Sequence, residues 1–176
     1  MTTSAHTPAP FGIPSSTSRG LPTFTLPDTS GALRRLWDYK QRHPVMVFVP
    51  HSPECAGCRA WLRELRANCA PLDELGAAVL IIVRAPRENA RVLQASLDLP
   101  FMVLVDADGE VASRYTARDA AALYLGDRYL QCIGRWIVAG GQHALPAPDD
   151  LLGTLAFAEQ EDCGCGLPAW PEEALE

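Results

Sequence analysis

Two cysteines separated by two residues carry the strongest chemical signal in this sequence, in the run Cys55-Ala-Gly-Cys58. They follow an apolar, β-branched stretch, Val45 to Val49, which predicts a strand covered on both faces, and they precede a helical pattern. Sulfurs three residues apart share one face of a helix and can close a small disulfide ring. The spacing and its context therefore predict a redox-active dithiol, rather than two cysteines that only pack at a helix start.

The two cysteines are not equivalent in the predicted helix. Cys55 lies at the N-terminus, where N–H groups and the helix dipole favour a thiolate, whereas Cys58 lies one turn further along on the apolar stripe. This asymmetry suits disulfide exchange, in which Cys55 attacks and Cys58 resolves the mixed disulfide. Arg59 would favour the thiolate at Cys55, and Glu54 would oppose it by like charge.

Three further residues are candidates for auxiliary roles in the redox chemistry. Cys163 and Cys165 could deliver electrons to the first pair, or they are incidental cysteines of a flexible tail. His51 could move protons beside the thiols, or it is a solvent-facing strand end. An alternative is a thiolate-rich metal site made of His51, Cys55 and Cys58 together with the tail pair.

Strands and helices alternate along the rest of the sequence. A short strand and turn at Phe24 to Gly31 open the pattern. Further strands are predicted at Ala77 to Val83, Pro100 to Val105, Ala121 to Gly126 and Gln131 to Val138. Short helices are predicted at Leu36 to His43 and Val111 to Tyr115. Longer helices are predicted from the Cys pair to Gly76, at Pro86 to Leu97 and after Asp150. This order predicts an α/β domain whose first strands are parallel.

The 176 residues fit one domain with a tail at each end. Residues 1–19 are rich in Thr, Ser, Pro and Ala and predict a disordered arm, whereas residues 20–160 form the predicted domain. Six of the 21 acids and none of the 15 bases follow residue 158, so residues 161–176 are an acidic tail. The net charge of -6 is carried by residues 159–176, because residues 1–158 contain 15 acids and 15 bases.

Composition excludes several classes of protein. An acidic chain without a basic stripe argues against a nucleic-acid binder. The longest apolar run, Ala77 to Val83, is far shorter than the ~20 residues that a membrane-spanning helix needs. The first 30 residues contain no secretory pattern, so we expect a cytosolic protein, and we expect no cofactor.

On these residues the chain resembles the thioredoxin-like superfamily and, within it, the redoxin branch that includes peroxiredoxins and alkyl hydroperoxide reductases. The resemblance rests on Leu21 to Gly31, Val45 to Arg59 and Leu99 to Val111. It implies a thioredoxin-like three-layer sandwich, with a central mixed β-sheet flanked by helices, and thiol chemistry at Cys55 and Cys58.

The sequence departs from that family at two places. In the peroxiredoxin motif Pro-x-x-x-Thr-x-x-Cys, counted from Pro50, Glu54 takes the Thr position and Gly57 the Cys position. The cis-proline that the family places beside its site would fall near Ala121, where the sequence has no proline.

The leading hypothesis is a thiol–disulfide oxidoreductase that acts on a protein or small-molecule disulfide and is restored by a dithiol reductant. One alternative is a thiol-dependent peroxidase that uses Cys55 on a hydroperoxide. A second is a non-catalytic redoxin-fold protein that binds a partner or a metal ion through its cysteines. Neither nucleic acid nor a membrane is an expected partner.

Overall fold

The computed structural model describes residues 20–139 and 144–162, with side chains as far as residue 159. The predicted arm, residues 1–19, and the tail from residue 163 onwards lie outside this part of the chain. The described strands are β1 (Thr25–Pro27), β2 (Leu33–Arg35), β3 (Val45–Val49), β4 (Ala78–Val83), β5 (Met102–Val105), β6 (Ala121–Gly126) and β7 (Cys132–Val138).

Five of these strands form one mixed sheet in the order β5-β4-β3-β6-β7. β3, β4 and β5 run parallel to one another, with Val45 opposite Ala78. β6 runs antiparallel to β3, with Ala122 opposite Val49, and β7 pairs antiparallel with β6. The prediction of parallel first strands is therefore confirmed. The carboxyl end of β3 and the start of β6 meet at one edge of the sheet.

Strands β1 and β2 form a separate antiparallel hairpin, in which only β1 was expected from the sequence. β2 holds Leu-Arg-Arg, which has no apolar alternation, and its pairing with β1 follows the turn at residues 28–31. The Asp28 carboxylate accepts hydrogen bonds from N–H groups of that turn, including Ser30 at 2.8 Å and Ala32 at 3.1 Å.

The described helices are α1 (Ala56–Ala67), α2 (Cys69–Glu74), α3 (Arg87–Leu97) and α4 (Pro148–Asp162), with single 3-10 turns at Leu36–Tyr39 and Ala112–Arg114. The prediction of a single helix from the Cys pair to Gly76 is wrong, because α1 ends at Ala67 and a separate helix, α2, begins after Asn68. Pro71 lacks an N–H group and its ring would clash with the carbonyl of Ala67 in a continuous helix. A proline is tolerated in the first turn of a new helix, so α2 starts at Cys69.

Two hydrophobic clusters cover the two faces of the sheet, and β3 contributes to both. Met46 and Phe48 point into one cluster, while Val45, Val47 and Val49 point into the other, as the period of two in a strand requires. α1, α3 and α4 pack on the first face, and the β1–β2 hairpin and the two 3-10 turns cover the second. The central strand is thus fully buried, as its composition predicts. None of the helices in the described part of the chain is long and apolar enough to cross a membrane.

Candidate active site

The Cys pair lies where β3 leaves the sheet and α1 begins. Residues 50–54 form the turn, and the Cys55 N–H group donates to the Ser52 carbonyl oxygen at 3.3 Å. Cys55 is the N-cap of α1, and its carbonyl oxygen accepts the first helical hydrogen bond from Arg59 N–H at 2.9 Å. Cys58 follows in the first helical turn, so the strand-to-helix position expected from the sequence is the one observed.

The two thiols differ strongly in their access to solvent. Cys55 is half-buried, whereas Cys58 is 1% exposed and belongs to the core cluster on the helical face of the sheet. Burial raises the pKa of the Cys58 thiol to about 12; a hydrogen bond from the His51 backbone opposes the rise, and the adjacent Cys55 adds to it. Cys58 therefore holds its proton at neutral pH unless a neighbouring group takes it.

His51 brings a ring nitrogen to both sulfurs. Its Nδ1 atom lies 3.3 Å from Cys58 Sγ and 3.9 Å from Cys55 Sγ. The site thus places a half-buried thiol, a fully buried thiol and an imidazole close together. An imidazole nitrogen in its neutral form can accept a thiol proton, and it can also ligate a metal ion.

Two charged residues, Glu54 and Arg59, lie near Cys55 in the sequence. The Arg59 guanidinium donates to the Pro53 carbonyl oxygen at 3.3 Å and to Ser96 Oγ at 2.9 Å. It therefore fastens the turn before Cys55 to the end of α3. Glu54 is exposed to solvent.

A shallow cleft of about 200 Å³ opens beside the turn that precedes Cys55. Val92 of α3 is exposed there, and its apolar surface lies close to the charged side chains of the turn. The residues that line the cleft are Pro53, Glu54, Arg59, Asn89, Val92 and Leu93. The cleft lies between α3 and the turn that precedes Cys55.

The start of β6 pairs with the carboxyl end of β3, and it is the second place where the sequence departs from the family that it resembles. β6 begins at Ala121, a buried residue of the cluster that also contains Cys58. The chain has an alanine pair at 120–121 where the resembling family has its cis-proline, and the described residues contain no cis peptide bond.

Sequence comparison places this arrangement in a known family. A family model described as the AhpC/TSA family matches residues 18–138, which is more than half of the chain. The chain belongs to the AhpC/TSA family. The matched range covers the β1–β2 hairpin, all five strands of the sheet and the Cys pair. No protein among the curated sequences matches the chain.

Two solved structures illustrate the fold of this AhpC/TSA-family chain. Peroxidoxin BcpB from Mycobacterium tuberculosis is 21% identical with a TM-score of 0.67, over 80% of this chain and 96% of that chain. A secreted disulfide oxidoreductase of Mycobacterium tuberculosis, homologous to E. coli DsbE, is 23% identical with a TM-score of 0.62, over 76% and 95%. The predicted thioredoxin-like α/β fold is confirmed.

The structure of this AhpC/TSA-family protein unites three of the five candidate residues. His51, Cys55 and Cys58 lie together, whereas Cys163 and Cys165 fall outside the described residues. The hydrogen bond from Arg59 to Ser96 had no signal in the sequence, since Ser96 lies 37 positions further along the chain.

The two remaining described cysteines lie in other elements. Cys69 starts α2 and lines a cleft of about 530 Å³ with Arg63, Arg66 and Asp98, away from the Cys pair. Cys132 starts β7, with its Sγ atom 3.5 Å from the Gly134 carbonyl oxygen. Both are half-buried at the edge of a hydrophobic cluster.

Proposed function

We propose that this AhpC/TSA-family protein is a thiol–disulfide oxidoreductase in which Cys55 is the attacking thiol and Cys58 the resolving thiol. The observation that carries the proposal is the pairing of a half-exposed thiol with a buried one in the first turn of α1. A substrate disulfide can reach Cys55, whereas the buried Cys58 can reach only Cys55 Sγ, which it attacks once Cys55 has formed a mixed disulfide.

The reaction has two exchange steps. The Cys55 thiolate attacks one sulfur of the substrate disulfide, so that a mixed disulfide forms and the first substrate thiolate leaves. Cys58 then gives its proton to His51 Nδ1, which lies 3.3 Å away, and attacks Cys55 Sγ. The Cys55–Cys58 disulfide forms, the second substrate thiolate leaves, and the two electrons of the dithiol have reduced the substrate. A dithiol reductant returns the pair to the starting state.

The substrate class in this proposal is a protein or small-molecule disulfide. The cleft next to the turn that precedes Cys55 supports it, because a concave surface with an exposed valine and two charged side chains can receive a segment of a substrate near the attacking thiol. The proposal also includes a cytosolic location, where a dithiol donor is available and thiols are kept reduced. Cell fractionation tests the location.

Cys163 and Cys165 enter the proposal as an auxiliary dithiol. A tail that follows α4 could accept electrons from a reductant and pass them to the Cys55–Cys58 disulfide by exchange. The acids around the tail pair disfavour the thiolate form, so this exchange is slower than attack by Cys55.

The experiment that tests the proposal is a redox titration of the full chain in glutathione buffers, with alkylation and peptide mass spectrometry. We expect Cys55 and Cys58 to interconvert between dithiol and disulfide as one two-electron couple. Cys69, a half-buried thiol outside the pair, is the internal control and should stay alkylated throughout. The absence of a reversible Cys55–Cys58 couple would contradict the proposal.

Peroxide reduction is the second candidate function, and the AhpC/TSA family match is the observation that favours it. Here Cys55 would attack a hydroperoxide, and Cys58 would condense with the resulting sulfenic acid. Consumption of peroxide that depends on Cys55, and that is faster than reduction of a disulfide substrate, would favour this function over disulfide exchange.

A further inference from the structure

We propose that His51, Cys55 and Cys58 form a Zn²⁺ site in the dithiol state of the protein, with a water molecule as the fourth ligand. One donor atom from each of the three side chains lies within 4.8 Å of the other two. In the described part of the chain, this group combines two sulfurs and an imidazole at one point.

The distances fit a tetrahedral zinc centre. Zn–S bonds of about 2.3 Å and Zn–N bonds of about 2.0–2.1 Å place the nitrogen about 3.5 Å from each sulfur and the two sulfurs about 3.8 Å apart. His51 Nδ1 is 3.3 Å from Cys58 Sγ and 3.9 Å from Cys55 Sγ. Both nitrogen–sulfur distances lie within a few tenths of an ångström of those required, and the two sulfurs lie within 4.8 Å of each other, so side-chain rotations need to bring the sulfurs closer by about 1 Å at most.

The donor set selects the class of ion. Two thiolates and an imidazole suit zinc and other thiophilic cations, whereas Mg²⁺ and Ca²⁺ require oxygen ligands. Three protein ligands of the Cys₂His type leave one tetrahedral position open, and Cys55 is half-exposed, so water can fill it. Regular elements hold two of the ligands in place, because His51 lies two residues after the central strand and Cys58 is buried in the core.

Zinc binding and disulfide chemistry exclude each other at this site. Zn²⁺ takes the place of the thiol protons and no electron moves. When the pair is oxidised, both sulfurs are used in the S–S bond and the ion must leave with its water. This release on oxidation rests on the proposed function, whereas binding by the dithiol does not.

The test is a competition titration of the reduced full chain with Zn²⁺ under anaerobic conditions, against a chromophoric chelator. We expect one tightly bound ion per chain. Co²⁺ in place of zinc should give intense visible bands of a tetrahedral centre and a thiolate-to-cobalt charge-transfer band. Cys163→Ser/Cys165→Ser, which removes the tail thiols, should bind equally well.

Matched variants locate the ligands. His51→Asn, Cys55→Ser and Cys58→Ser should each weaken Zn²⁺ binding by more than about 100-fold, since loss of an outer-shell partner alone costs roughly 10–100-fold. His43→Asn is the control, because His43 Nδ1 lies 2.8 Å from the Gly76 carbonyl oxygen, away from the thiols. It should leave binding unchanged.

Several results would overturn the proposal. These are a reduced protein that does not compete with the chelator, binding that is lost with the tail cysteines, and binding that His51→Asn leaves intact. Oxidised wild-type protein provides a measurement without a substitution: it should not bind Zn²⁺, and equal binding by both redox forms would refute the site. If the pair forms no disulfide, the proposed function fails while binding by the dithiol is still measurable.

Discussion

The Nδ1 atom of His51 lies 3.3 Å from the Sγ atom of Cys58, a thiol that is 1% exposed. The contact joins the end of the central strand to the first turn of the helix that follows it. It gives a buried thiol with a raised pKa a partner that can accept its proton.

Replacing His51 with asparagine should slow resolution of the mixed disulfide. Asparagine can keep a hydrogen bond to Cys58 but cannot take its proton, and loss of a general base typically costs about 10²–10⁴-fold in rate. The measurement is the lifetime of the Cys55 mixed disulfide after rapid mixing with a disulfide substrate. His43→Asn is the control. An unchanged lifetime in His51→Asn would show that another group takes the proton.

Cys58→Ser should trap the mixed disulfide on Cys55. Without the resolving thiol, the reaction stops after the first exchange, so intact mass spectrometry should show one substrate half-molecule per chain. Cys55→Ser should form no such adduct, because Cys58 is buried. Cys69→Ser should behave like the wild type, and an adduct that persists in Cys55→Ser would reverse the assigned roles.

Cys163→Ser/Cys165→Ser should slow turnover with a bulky dithiol reductant more than turnover with a small one. A large donor gains more from a dithiol carried on a tail, whereas a small donor reaches the Cys55–Cys58 disulfide directly. Steady-state rates with a reducing protein and with dithiothreitol make the comparison. If the double substitution changed the rates with both donors by the same factor relative to the wild type, the relay would be excluded.

Trp61 tests the packing of α1 against the sheet and against the segment that precedes α4. Its Nε1–H group donates to the Pro146 carbonyl oxygen at 2.9 Å, and its ring centroid lies 4.6 Å from that of Phe48. Trp61→Phe keeps an aromatic ring and loses the hydrogen bond, which should cost about 1 kcal/mol in the free energy of unfolding. Trp61→Ala should cost about 3–5 kcal/mol. Denaturant unfolding measures both, and similar losses would mean that ring packing contributes little.

Asp28 gives the stability of the fold a dependence on pH. Burial would raise the pKa of this carboxyl, but hydrogen bonds from Ser30, Arg34 and Ala32 hold it well below its usual range. A carboxyl with a depressed folded-state pKa stabilises the protein above its unfolded pKa of about 3.9, and the stabilisation is lost as the pH falls towards the folded value.

The stability difference between wild type and Asp28→Asn should therefore be large at neutral pH and shrink below about pH 4. Urea unfolding at neutral pH and near pH 3 measures it. Asp38→Asn is the control, because Asp38 forms an exposed ion pair with Arg35 and such pairs contribute little. A difference that stays constant with pH would refute the role of the Asp28 charge.

The sequence alone predicted the elements with strong local signals. The run Val45–Val49 is apolar at every position, which predicts a strand buried on both faces, and the observed strand β3 has the same bounds. The Cys-x-x-Cys spacing placed both thiols in one helical turn, because backbone geometry fixes that relation regardless of the rest of the fold. The helix break at Asn68 could also have been predicted, because Pro71 cannot lie in the interior of a continuous helix.

Tertiary structure alone decided how the site is arranged. Whether a thiol is buried depends on the elements that pack over it. Cys58 is buried because α1 packs on the sheet in the cluster that also contains Phe48 and Trp61. The 3.3 Å contact between His51 and Cys58 depends on the turn that reverses the chain after β3. The bond from Arg59 to Ser96 spans two helices. Such contacts are set by packing between distant segments, and the spacing of residues along the chain does not encode them.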